Sequence, residues 1–171
     1  MIRATIYLAL VCLAWRLASE LRPARFGRDW HRLRAIWSLG CVAFVAHVCS
    51  AFHWKHDWSH ADAIRVTAER TYEMMGFRFG EGLYFSYLFL LLWIIDVLWM
   101  WLAESAYRAR SPWLTRMLLS YLAFIAFNGA VIFESHVTRW VGLPISIVLL
   151  YWCCVPNHRA IMLNKRRVET N

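Results

Sequence analysis

Apolar residues run along this chain in blocks of about twenty, each closed by a cluster of charge, and that length matches the thickness of a bilayer's hydrocarbon core. Four blocks are clear, at 35–54, 82–103, 113–133 and about 137–155. A weaker one covers 2–21, with an apolar centre at 6–15 flanked by Arg3 and Arg16. A cleaved signal peptide would need small residues where Arg16 and Glu20 stand, so this segment is expected to remain as a first helix. The pattern predicts an all-α fold. It is one integral membrane bundle over 1–171 with five transmembrane helices, followed by a basic tail at 156–171.

Between the second and third blocks the period changes. Over 60–75, Asp62, Arg65, Glu69, Arg70 and Glu73 fall on one side of a helical wheel, while Ala63, Ile64, Thr67, Ala68, Thr71, Met74 and Met75 fall on the other. Ser59 followed by Asp62 reads as a capping box, and Gly76 as a stop. This amphipathic helix mixes both signs of charge, unlike the basic face of a helix that binds anionic lipid. It is expected to lid one end of the bundle.

Composition agrees with a membrane protein. Of 171 residues 60% are apolar and 11 are Trp. Lys and Arg outnumber Asp and Glu by 19 to 11, for a net charge of +8. That excess sits in short connections, where it sets topology, and it argues no nucleic-acid partner. Arg22, Arg25, Arg28, Arg32 and Arg34, then Arg108, Arg110 and Arg116, then Arg159, Lys165, Arg166 and Arg167 mark one side as cytoplasmic. The N-terminus is therefore expected outside and the C-terminus inside, in a membrane of bacterial inner-membrane type. Trp30, Trp54, Trp58, Trp113 and Trp140 fit interfacial anchoring. Cys12, Cys41, Cys49, Cys153 and Cys154 lie in apolar stretches without CxxC spacing and read as buried thiols.

The chemistry concentrates in HWKHDWSHAD, residues 53–62. His53, His56 and His60 follow an i, i+3, i+7 spacing that returns to one face, in phase with the apolar side of the amphipathic helix if that helix is continuous. A bend at Ser59 would break the phase. Alternating topology brings Glu134 and His136, in the hairpin between the last two spans, to the same depth. Such a set could ligate zinc, copper or iron, with Asp57 and Glu134 as ligand or orienter; haem through paired histidines, including His47, is the other cofactor considered. The spacing matches no metal signature such as HExxH.

Inside the membrane, Asp96 would cost on the order of 3 kcal/mol if isolated. Arg16, at a similar depth, is the expected structural partner, with Glu20 as competitor. Asn128 is expected to bond between helices. Two functional classes fit: a metal- or haem-binding, redox-linked membrane component, or an accessory or assembly subunit of a larger membrane complex whose histidines are structural. Its partners are membrane lipid and other membrane subunits. No Ser/His/Asp set stands at one depth, which weighs against an enzyme.

Overall fold

The computed structural model describes residues 2–21 and 29–129, and every regular element among them is helical. In chain order these are α1 (Ile2–Leu21), α2 (Trp30–Lys55), α3 (His60–Met75), α4 (Gly82–Leu102), α5 (Glu104–Ala109) and α6 (Pro112–Phe127). The expected span at 137–155, the tail, His136 and Glu134 lie outside the described residues, as does the end of the expected span at 113–133.

Each helix starts and stops for a local reason. Asp29 caps α2 by accepting from the Arg32 backbone N–H at 3.1 Å, so α2 begins five residues before the apolar block does. At 26 residues α2 is about 39 Å long. Ser59 caps α3 by accepting from the Asp62 N–H at 3.2 Å, and Gly76, at φ 79°, ends it in the left-handed region. Ser111 caps α6 directly before Pro112, whose missing N–H costs nothing in the first turn.

Buried positions form helical stripes that decide the packing. Ala9, Cys12, Leu13, Arg16 and Ser19 make the stripe of α1; Leu33, Trp37, Gly40 and Cys41 that of α2. Phe89, Trp93, Asp96 and Met100 line α4, and Thr115, Leu119, Leu122 and Ala123 line α6. α1 packs along α2, α2 against α4, α4 against α6, and α6 touches α1, which closes a ring of four helices. α2 and α4 run antiparallel, with Trp37 stacked on Trp93 at 4.6 Å and Phe44 tilted against Phe89 at 4.6 Å. α3 lies across the end of the ring where α2 stops, called the outer end here after the topology the sequence predicts. Ala63 is buried there, and Thr71 Oγ1 donates to the Phe79 carbonyl at 3.2 Å.

Among the described residues, α2 and α4 are long and apolar enough to cross a membrane. α6 is apolar but has 16 residues, and α1 carries Arg3, Arg16 and Glu20. Only 22% of the most apolar stretch of α2, and the same share of α4, is buried inside the protein, so most positions of both are at least partly accessible. Large side chains such as Val42, Leu91, Ile95 and Leu98 are exposed. Exposed tryptophans mark both ends, Trp54 and Trp58 at the outer one, Trp101 and Trp113 at the inner. Trp101 Nε1 donates to Ser38 Oγ at 2.9 Å, which places it sixteen residues below Trp54 along α2, or roughly 24 Å.

Gly40 sits where α1 and α2 cross. A Cβ there would lie 2.6 Å from Cys12 Cβ and 2.9 Å from the Trp93 ring, whereas one at Gly82 would meet only ordinary contacts at 3.6 Å and beyond. Gly40→Ala should therefore destabilise the protein by about 1–2 kcal/mol, the overlap outweighing Ala's higher helix propensity, while Gly82→Ala stays near neutral. Thermal unfolding of the purified protein measures both, and equal effects would show that the overlap at Gly40 is relieved without cost.

Candidate functional site

Two polar groupings stand out, one at each end of the ring. At the outer end the i, i+3, i+7 histidine stripe does not form. α2 stops at Lys55, and the next residues turn sharply, with Asp57 at φ 44° and Trp58 at φ 59°. Two consecutive left-handed residues other than glycine are costly. The His56 and Trp58 N–H groups both return to the Phe52 carbonyl, at 3.3 and 3.0 Å, and this holds the turn. The turn rotates His60 out of phase with His53, so the continuity on which the stripe depends is lost.

Each histidine then takes its own partner. His53 is exposed, its ring 4.7 Å from Trp54. His56 Nδ1 bonds to Asp62 Oδ2 at 2.8 Å, which ties the end of α2 to the first turn of α3. His60 Nδ1 bonds to the Tyr87 hydroxyl at 2.9 Å, its ring stacked on Tyr87 at 5.7 Å, which ties α3 to α4. Asp57 is exposed in the turn. Among the described residues no three His, Cys, Asp or Glu side chains come together as a metal site. His47, near Phe44 at 6.0 Å, is nine residues below His56, about 13 Å along the axis. Two axial imidazoles on one metal stand on the order of 4 Å apart, twice a metal–nitrogen bond, so this pair cannot clasp a haem.

Asp62 also accepts from Arg65 at 2.6 Å, and Arg65 reaches Glu69 at 2.8 Å, so the outer face of α3 is a ladder of alternating charge. The His56 bond, and after it the Arg65 bond, hold the Asp62 carboxyl below its usual range. A carboxylate whose value is depressed on folding stabilises the fold above its unfolded value, and that contribution disappears as the pH falls through the folded one. Acidification below the usual carboxylate range should therefore loosen the start of α3 before the helices of the ring. Amide hydrogen exchange at Ala63 and Ile64 against Leu119 and Leu122 reads this, and simultaneous loosening would contradict it.

At the inner end, Asp96 is only 3% exposed and takes donors from three elements. Trp37 Nε1 of α2 donates to Oδ2 at 2.8 Å and the Tyr107 hydroxyl of α5 at 3.0 Å, while Arg110, from the connection to α6, pairs with Oδ1. Burial, and then the neighbouring Asp96 charge, push the Tyr107 phenol well above its usual range, so it keeps the proton it donates. The Arg110 guanidinium lies over the Tyr107 ring at 3.8 Å. Outside this core, Arg34 covers Trp101 at 4.0 Å and Arg108 covers Trp30 at 5.2 Å, each also reaching Glu104.

The expected Arg16–Asp96 clamp is thus replaced. Arg16 pairs with Glu20, one turn on in its own helix, and with Ser19 Oγ at 3.4 Å. A carboxylate at i+4 is reached without organising a second element, and Arg110 arrives at Asp96 from the connection directly after the short α5. Arg16 and Asp96 still share a neighbour, because the Arg16 guanidinium lies over the ring of Trp37 at 5.9 Å. Asn128 likewise bonds within its own helix, to the Phe124 carbonyl at 2.7 Å, instead of between helices. Sequence reasoning missed Arg110, Tyr107 and Trp37. Arg110 lies fourteen residues beyond Asp96, in a connection where arginine already has a topological reason to be, so its spacing gives no hint of the pairing.

No family model, no curated protein and no solved structure matches the chain.

With its acceptor positions taken from three sides, Asp96 acts as a fixed clamp. Removing one member of a buried pair costs about 3–5 kcal/mol, and removing both costs less than the sum. A cycle of Asp96→Ala with Arg110→Ala should therefore show a coupling of about 1–3 kcal/mol in unfolding free energy. The cycle of Asp96→Ala with Arg16→Ala should show a smaller one, and the reverse order would mean that Arg16 is the working partner.

Proposed function

We propose that this chain is a five-span integral membrane protein, N-terminus outside and C-terminus cytoplasmic in a bacterial inner membrane. In this reading it works as an accessory or assembly subunit of a larger membrane complex, with histidines that pin its own helices together. The membrane placement is supported by the exposed apolar side chains of α2 and α4 and by two tryptophan levels roughly 24 Å apart, close to the hydrocarbon thickness of about 30 Å. It is also supported by the arginines stacked on tryptophan at the inner level, where the basic connections are expected.

The observation that carries the subunit reading is a patch at the end of α3, beyond the membrane spans. Tyr72, Met75 and Phe77 are each more than half exposed, and Phe79 is beside them. Arg78 lies over the Tyr72 ring at 5.7 Å. Tyr, Phe, Met and Arg are the residues enriched at protein interfaces, and an apolar cluster of this kind outside the bilayer marks an interaction surface. The charge ladder of Asp62, Arg65 and Glu69 on the same helix has no basic excess, which favours a protein partner over an anionic lipid surface.

Membranes solubilised in mild detergent and resolved by native electrophoresis test this. The wild-type chain should migrate in an assembly larger than itself, and the combined change Tyr72→Ser, Met75→Ser and Phe77→Ser should release it at the size of the lone chain. A wild-type chain already migrating alone would contradict the proposal.

A further inference from the structure

Within the ring, above the aromatic core, side chains of all four helices line a cavity of about 530 Å3. Its floor is Phe89 and Trp93, its walls include Leu10, Phe44 and Ala126, and Ala63 of α3 closes part of its roof. Along α2 the lining runs from Phe44 to Lys55, eleven residues or roughly 16 Å; along α4 it runs from Leu83 to Trp93, roughly 15 Å. The volume lies within the roughly 300–1,000 Å3 of small-molecule pockets, but spread over such a length it is a narrow slot.

The polarity of the lining is graded. The deep half is apolar apart from His47, while Lys55, His56, Ser86 and Tyr87 gather at the outer end. Lys55 is exposed and belongs to no ion pair among the described residues. His56, tied to Asp62 through Nδ1, keeps Nε2 for a second bond. The depth of the slot is also about half the hydrocarbon thickness of roughly 30 Å, which is the reach of one acyl chain in one leaflet. A water-soluble ligand would leave the deep half dry and unfilled.

We infer that this cavity binds a single acyl chain bearing an anionic head group, with the chain against Phe44, Phe89 and Trp93 and the head beside Lys55 and His56. The inference rests on the membrane placement proposed above and is independent of the subunit role. The acyl chain belongs either to a free fatty acid or to an anionic phospholipid of the outer leaflet, and the experiment separates the two.

The full-length chain, extracted from membranes and delipidated in detergent, is titrated separately with palmitate, hexadecanol, octanoate and dipalmitoyl phosphatidylglycerol, and bound ligand is counted by native mass spectrometry. Saturation at one palmitate per chain, with octanoate about tenfold or more weaker, is the expected result. Saturation by phosphatidylglycerol but not by palmitate would assign the chain to a phospholipid. Lys55→Gln should weaken the anionic ligand that saturates by about tenfold and leave hexadecanol unchanged. Ala51→Phe on α2 and Ala126→Phe on α6, each checked for folding by thermal melting, should each abolish saturable binding by filling the slot. Uptake that never saturates, affinity independent of chain length, or wild-type binding by both folded variants would overturn the inference. Recovery of the chain in the soluble fraction without detergent would instead defeat the membrane placement itself.

Discussion

A carboxylate buried between apolar helices must be met by donors, and Asp96 is the point at which this chain satisfies that requirement. Three elements converge on it: Trp37 from α2, Tyr107 from α5 and Arg110 from the connection to α6. The position of α5 follows from this, because Tyr107 must reach inward while the chain turns from α4 to α6. The stack of Trp37 on Trp93 follows as well, since the indole that bonds Asp96 is held flat against the neighbouring ring. An unpaired charge here would cost several kcal/mol, a large fraction of the stability of a small protein.

The outer end is organised by weaker bonds of the same kind. His56 joins α2 to α3 through Asp62, and His60 joins α3 to α4 through Tyr87. These are pairwise pins on a lid helix that buries few residues, in contrast to the interlocked aromatic core below. A lid held by a few partly exposed hydrogen bonds opens at lower free energy than the ring it covers. That difference would let the lid move aside from the cavity beneath it without the bundle coming apart.

Much of this was legible in the residues. The apolar blocks and the wheel over 60–75 carry their periods openly, and the caps Ser59 and Gly76 stand where the pattern places them, because caps and periods are local properties. The need of Asp96 for a partner was equally legible from its setting. The identity of that partner was not, since Arg110 occupies a connection where arginine already has a topological reason to be. The histidine stripe failed for a related reason. Spacing predicts a shared face only while the helix continues, and nothing in the residue types of Asp57 and Trp58 announces two consecutive left-handed conformations. Asp29, by contrast, is an ordinary cap residue whose role lengthens α2 beyond its apolar block.

His56, His60 and Asp96 are each engaged by a side chain of a neighbouring element, and among the described residues no three His, Cys, Asp or Glu side chains come together as a metal site. Elemental analysis and optical absorption of the full-length chain, purified from cells supplied with zinc, copper and iron, show whether pinning the helices is the role of these side chains. A chain whose histidines act as helix pins should carry no transition metal in stoichiometric amount and show no haem absorption. One metal or one haem per chain, lost on His56→Ala or His60→Ala, would contradict it.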